Sequence, residues 1–379
     1  MSGLKLQATD RDRPPLQPRG GGYADISGGV LPLGPALFKP SNRKYLGSKR
    51  LLSGWICGII RQTAGRPSSF LDGFCGTGAV GLEMSRSSGK VTAVDNLESN
   101  CVILRGFSAA SGVLRGARRA AKLIEGLNAL PPEAGYITDS YGDAYFTAEN
   151  CMKMDAVRKE IHALRTGSTI SDAEHDYLLA SFLLEADRVA NTLGQYDAFL
   201  KHISSAAGFC GGRHVIDQRV RTPFLLRPLA QIDVGNLEAA AVDLTDPSVR
   251  LSAEAVYFDP PYNGRQYCDN YHVLENLARW EKPPVLGKTR KFDRAGMKSP
   301  FSTRAGAAPA LRSLLHRTSS PWVFLSYSSE GILGREEISS ILKAFGSVRT
   351  HEVPYPVFGN GAGVSKRRLV SEHLFVLER

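Results

Sequence analysis

The chain has 379 residues, 42% of them hydrophobic and 22% charged, which sets it apart from disordered and collagen-like chains and leaves room for one large core plus an inserted subdomain. No apolar run approaches the ~20 residues of a membrane span, and the N-terminus lacks the apolar core of a signal peptide, so a cytoplasmic location is expected. The six cysteines are scattered with no CxxC pair and no Cys/His set at zinc spacing, so free thiols and no metal site are expected. A net charge of +10 suits a polyanionic partner.

Residues 1–40 are rich in Gly and Pro, and read as a mobile arm. Order is expected to begin near Lys44-Tyr45-Leu46-Gly47-Ser48-Lys49-Arg50, followed by a helical apolar pattern through Leu51, Leu52, Trp55, Ile56, Ile59 and Ile60. Ser69-Phe70-Leu71-Asp72 reads as a short buried strand running into Gly73-Phe74-Cys75-Gly76-Thr77-Gly78, a glycine-rich turn that opens a helix. The glycines at 76 and 78 would let backbone approach a ligand that a Cβ would block. A second strand, Lys90 to Asp95, ends on an acid able to accept ribose hydroxyls. Strand, glycine turn, helix, strand and acid form the first half of a nucleotide-binding βαβ unit, here assigned to residues 41–104.

Residues 105–228 show helical patterns, notably Tyr177 to Ile203, and no β/α alternation, so they read as a helical insertion. Alternation resumes over 229–379: strands at Ala255–Asp259 and Trp322–Tyr327, then Ser347–Val353 and Glu372–Leu377 as an antiparallel pair closing one sheet edge. The expected fold is α/β, a mostly parallel Rossmann-like sheet.

Asp259-Pro260-Pro261-Tyr262, directly after a buried strand, carries the most specific signal. Two prolines stiffen the loop, which presents a carboxylate, a carbonyl and a ring at a strand's C-terminal end. An aromatic amine is a poor nucleophile because its lone pair is delocalised. If Asp259 and the Pro260 carbonyl each accept one N–H, the nitrogen can pyramidalise while Tyr262 stacks on the base.

These motifs resemble the Dam-like, DPPY-type adenine-N6 DNA methyltransferases, in the branch whose tetrad continues as NxRQY…NYH. Here that is Asn263, Arg265, Gln266, Tyr267, Asn270, Tyr271 and His272. The resemblance implies a class I methyltransferase sheet and S-adenosylmethionine as methyl donor. It implies cofactor contacts from Tyr45, Gly47 and Lys49, from Asp72, Phe74, Gly76 and Gly78 of the FxGxG region, and from Asp95. Asn236 falls where the family often contacts the cofactor's adenine, although an ordinary turn fits it equally. Double-stranded DNA is the implied partner, with a cognate restriction endonuclease as a second.

Arg265, Tyr267, Asn270 and Tyr271 mix donors and flat rings suited to a displaced base, though Tyr271 suits the core as well. The basic stretch Lys288, Arg290, Lys291, Arg294, Lys298 and Arg304 reads as a flexible phosphate-contacting loop, and 105–228 as the reader of sequence. Cytosine-N4 and RNA adenine methyltransferases of the same fold, and a catalytically idle DNA-binding module, are the alternatives.

Overall fold

The computed structural model describes residues 37–43, 45–115, 117–200, 215–357 and 368–379. The expected N-terminal arm, up to residue 36, lies outside them, as does Lys44.

The strands are β1 (Ser69–Gly73), β2 (Lys90–Asp95), β3 (Leu237–Ala241), β4 (Leu251–Ser252), β5 (Ala255–Phe258), β6 (Thr318–Ser319), β7 (Trp322–Ser328), β8 (Ser347–Val357) and β9 (Arg368–Glu378). Seven of them form one sheet in the order β3-β2-β1-β5-β7-β9-β8, while β4 and β6 make a small parallel pair. From β3 to β7 every pairing is parallel; β9 runs antiparallel between β7 and β8. This is the expected sheet with its antiparallel C-terminal edge. Strand order reverses between β1 and β5, so a crevice opens at their C-terminal ends, where open α/β sheets bind ligands.

The period-two alternation of the strands sorts their side chains onto two buried faces. Phe70, Val91, Ala93, Tyr257, Phe324, Leu374 and Val376 share one core with helices α1 (Ser53–Ala64), α2 (Ala79–Met84) and α3 (Glu98–Arg115). Leu71, Val94, Val256, Phe258, Val323, Leu325, Phe375 and Leu377 face the opposite way.

Residues 117–221 supply helices α4 (Ala117–Ala129), α5 (Tyr136–Tyr141), α6 (Ala148–Thr166), α7 (Asp172–Val189) and α8 (Val215–Arg221). Helix α7 starts at a capping box, Ser171 with Glu174, and is buried almost all round, as an interior helix is. Its Leu178, Phe182 and Leu183 belong to the same core as the sheet. Of the helical pattern expected from Tyr177 to Ile203, α7 carries the part up to Val189 and residues 190–200 are not helical; residues 201–203 lie outside the described residues. Arg219 binds the carbonyls of Ala190 and Thr192 (2.7 and 2.6 Å), the Asn191 amide donates to Ala144 and Leu200 carbonyls (both 2.9 Å), and Gly194 takes φ +102°. These tertiary bonds replace the helical ones.

After β5 come the short α9 (Tyr267–Asn270) and α10 (His272–Arg279). The buried Glu275 of α10 accepts the backbone N–H groups of Glu98 and Ser99 (both 3.0 Å), placing a carboxylate at the positive end of α3. Helices α11 (Arg304–His316) and α12 (Arg335–Lys343) cover the second face through Leu311, Leu314, Ile338 and Ile341. Among the described residues no helix is long and apolar enough to cross a membrane, and no group of acidic, Cys and His side chains could hold a metal.

Candidate active site

Strand β1 delivers the chain into a turn in which Phe74, Gly76 and Gly78 take φ of 61°, 53° and 69°. At Gly76 a Cβ would sit 2.9 Å from the Tyr45 ring, and at Gly78 one would sit 2.4 Å from Leu104. These glycines are therefore required by backbone conformation and by protein packing, where close approach to a ligand was the expected reason. Two buried acids brace the turn. Asp95 accepts the N–H groups of Gly76 (2.8 Å) and Leu97 (2.9 Å), and Asp72 accepts that of Gly81 (2.7 Å).

The Tyr45–Lys49 segment is held against this turn by tyrosines. Tyr45 stacks on Tyr271, centroids 4.5 Å apart, and its hydroxyl accepts from the Asn100 amide. Tyr271 Oη accepts the Leu46 N–H (2.7 Å), and Tyr267 Oη donates to the Leu46 carbonyl (3.2 Å). Gly47, at φ +73°, leaves 2.8 Å between a notional Cβ and Tyr267 Oη. Tyr267 and Tyr271 thus lock the N-terminal segment in place, and Tyr271 is core.

Helix entry after Ser48 turns Lys49 inward. Its Nζ lies 2.8 Å from Asp259 Oδ1, 3.3 Å from Glu372 Oε1 and 5.0 Å from the centre of the Tyr262 ring. Burial works against this ammonium, but Asp259, with Tyr262 and Glu372, holds its pKa well above the usual lysine value. Asp259 ends β5, donating its backbone N–H to the Gly73 carbonyl. Its carboxyl is pushed up to about 6, by burial first, with Lys49 opposing and Glu372 adding to the rise. Asp72 rises to about 7 through burial, against the Gly81 bond and with Asp259 and Asp95 nearby. Asp95 is raised by burial too, in spite of its backbone donors. The Tyr262 ring is tilted against Tyr327, and its carbonyl accepts from Ile332 (2.8 Å), so the corner is anchored on both sides.

These elements enclose a cleft of about 670 Å³, part of it open to solvent. Tyr45, Gly47, Lys49, Asp72, Phe74, Gly76, Asp95, Asp259 and Pro261 line it, together with Asn96, Gln266, Tyr267, Met297 and Ser299. Three lining carboxylates face one lining cation, Lys49. That imbalance suits a ligand carrying positive charge, as a sulfonium does.

Two expected cofactor positions fall elsewhere. Gly78 acts on the turn and is not on the cleft wall. Asn236 is exposed before β3, its amide donating to the Gly89 carbonyl (3.1 Å). That is the N-terminal end of the strand, the wrong end of the sheet for the crevice, and the turn reading of this residue holds. At the right end stands Asp243, one residue beyond Val242, whose N–H donates to the Asp95 carbonyl.

The expected DNA-facing residues divide likewise. Arg265 is exposed, with Nη1 2.8 Å from Gln195 Oε1. Asn270 is 3% exposed, and its carbonyl accepts from Tyr196 N, so it presents no side chain to a duplex. The basic stretch is a packed cover, where a free loop was expected. Leu286 and Lys291 form an antiparallel bridge, Arg290 donates to the Ser140 carbonyl, and Lys291 and Arg294 pair with Asp269 (3.7 and 2.7 Å). Gln266 exchanges two hydrogen bonds with the Ser299 backbone (2.8 and 3.0 Å), closing this cover over the cleft. Arg304 pairs with Glu337. Lys288 and Lys298 remain exposed.

Residues 45–341 match the model of the D12 class N6 adenine-specific DNA methyltransferases. The chain belongs to that family. Its curated relatives include the modification methylase StsI of Streptococcus sanguinis, 30% identical over 89% of this chain and 52% of that protein. The type II methyltransferase M.NlaIII of Neisseria lactamica is 30% identical over 88% of this chain and 99% of its own length. M.FokI of Planomicrobium okeanokoites is 29% identical over 82% and 49%. The chain thus spans about half the length of the first and third of these D12 enzymes and nearly all of the second. The reaction of the D12 family is methyl transfer to adenine N6 in DNA, with S-adenosylmethionine as donor.

Asn96, Met297 and Ser299 on the cleft wall were not singled out in the sequence, nor was Glu372, the buried acid beside Lys49. The signal for Glu372 is present, since alternation along β9 puts it on the same face as Leu374 and Val376, an acid in a buried register.

Proposed function

We propose that the protein is a site-specific methyltransferase acting on N6 of adenine within double-stranded DNA. The observation that carries the reading is the Asp259 carboxylate, held at the end of β5 on the wall of a cleft shared with the glycine turn. S-adenosylmethionine would supply an electrophilic methyl group there. Asp95 is assigned to its ribose, and Tyr45 and Lys49 to its methionine end. Asp72, Phe74 and Gly76 shape the wall between them.

The target adenine must leave the duplex to reach Asp259, at a cost of a few kcal/mol that stacking and edge contacts offset. The Asp259 carboxylate and the Pro260 carbonyl each accept one N6–H, turning the nitrogen lone pair towards the cofactor side. Pro261 keeps the corner stiff, and Tyr262 offers the ring on which the base rests. Arg265, with exposed Lys288 and Lys298, contacts the phosphate backbone. Residues 105–228 read the sequence.

The relatives' designation as modification methylases supports a second partner, an endonuclease of the same specificity whose cleavage this methylation blocks. Incubating DNA with the protein and tritiated donor, then analysing nucleosides by mass spectrometry, tests the reading. N6-methyl-2′-deoxyadenosine from duplex substrate is expected; N4-methyl-2′-deoxycytidine, or transfer confined to RNA, would replace it.

A further inference from the structure

Lys49 is a buried cation with two acidic partners from distant parts of the chain. Asp259 comes from the end of β5, and Glu372 from β9, the last strand of the molecule. Glu372 is 2% exposed, and strand register fixes it opposite Ser328 of β7 and Val353 of β8, so it cannot reorient towards water. An ammonium has three N–H groups. With only Asp259 as partner, Lys49 would neutralise the carboxylate that must accept the substrate amine. A second acid, 3.3 Å from Nζ against 2.8 Å for Asp259, shares the ammonium's attraction.

We propose that Glu372 is a positioning residue for methyl transfer: it anchors the Lys49 ammonium between two acids, so that Lys49 holds one oxygen of Asp259 and the other is left to the target amine. The inference rests on the adenine-N6 reading of the same cleft. Asp259 is surrounded by Lys49, Asp72, Tyr257, Tyr262, Tyr267 and Glu372, and Glu372 is a negative neighbour that raises its protonation pH. Removing that charge should therefore move the acid limb of the rate profile downwards even as the rate falls. Simple destabilisation would leave the limb where it is.

The experiment is the single-turnover rate of Glu372→Gln on duplex DNA, at saturating S-adenosylmethionine, from pH 5 to 9, beside the unaltered enzyme and Glu372→Asp. For Gln the rate should fall ~10-fold or more and the limb should drop by at least ~0.5 pH unit. For Asp, which keeps the charge at shorter reach, the rate should fall with the limb unmoved. A Gln variant with an unmoved limb overturns the proposal, whether its rate is normal or reduced. If Gln does not fold, an Asp variant as fast as the unaltered enzyme overturns it. If the unaltered enzyme makes no N6-methyl-2′-deoxyadenosine at any pH, it is the adenine-N6 reading that fails, a result distinguishable from either variant's behaviour.

Discussion

At the scale of single residues, Asp259 carries two separable jobs: it pairs with Lys49, and it is assigned the target amine. Asp259→Ala should abolish methyl transfer in a tritiated-methyl assay while calorimetry still detects cofactor binding, because the turn assigned to the cofactor is braced by Asp72 and Asp95. The sign of the pH dependence follows from burial. A carboxyl raised to about 6 accepts hydrogen bonds as an anion only above that pH, so the transfer rate should rise through pH 6 and level off above it. A profile flat from pH 5 to 8 would contradict this. The identities of Asp259 and Lys49 were legible because short motifs carry them. Lys49 was assigned to the cofactor alone, however, since its ion pair with Asp259 joins residues 210 positions apart.

At the scale of elements, the glycine turn and the basic cover behave differently from their sequence reading. Gly78→Ala meets both a left-handed backbone and the Leu104 side chain, and should cost ~1–3 kcal/mol by denaturant unfolding. Gly264→Ala, with open space around its Cβ position, should change stability far less. In the cover, charge alone did not tell which residues face a duplex. Arg294 and Lys291 are committed to Asp269, whereas Lys288 and Lys298 are exposed. Reversing Lys288 and Lys298 to Glu should weaken DNA binding and flatten its dependence on log salt by about 1 for each phosphate no longer neutralised. Arg294→Ala should act chiefly on stability. Equal salt slopes for both variants would show that the exposed pair touches no phosphate. The helix ending at Val189 has the same origin: periodicity continued, but the Arg219 and Asn191 hydrogen bonds that stop it come from elsewhere in the chain.

At the scale of the whole molecule, the helical region is continuous with the catalytic sheet. Leu178, Phe182 and Leu183 of α7 share a core with Phe70, Tyr257 and Leu374, and Glu275 of α10 caps α3. Excising residues 105–228 should therefore yield a chain with no cooperative thermal transition by circular dichroism. A truncated chain that melts cooperatively and binds cofactor would show the insertion to be an independent unit.

Six of the seven sheet strands, the glycine turn, the DPPY corner and the antiparallel edge were determined by local pattern, whereas β3 and the small β4/β6 pair were not read from it. Side-chain period, proline and glycine geometry act over a few residues, and their consequences are readable there. Only the tertiary structure decided that Tyr267 and Tyr271 lock the N-terminal segment, that Asn270 is buried, that Asn236 lies at the far end of its strand, and that Glu372 reaches Lys49. Each of these depends on which segments the sheet brings side by side. The energy that fixes them, burial of charge and aromatic surface between residues remote in sequence, has no local signature.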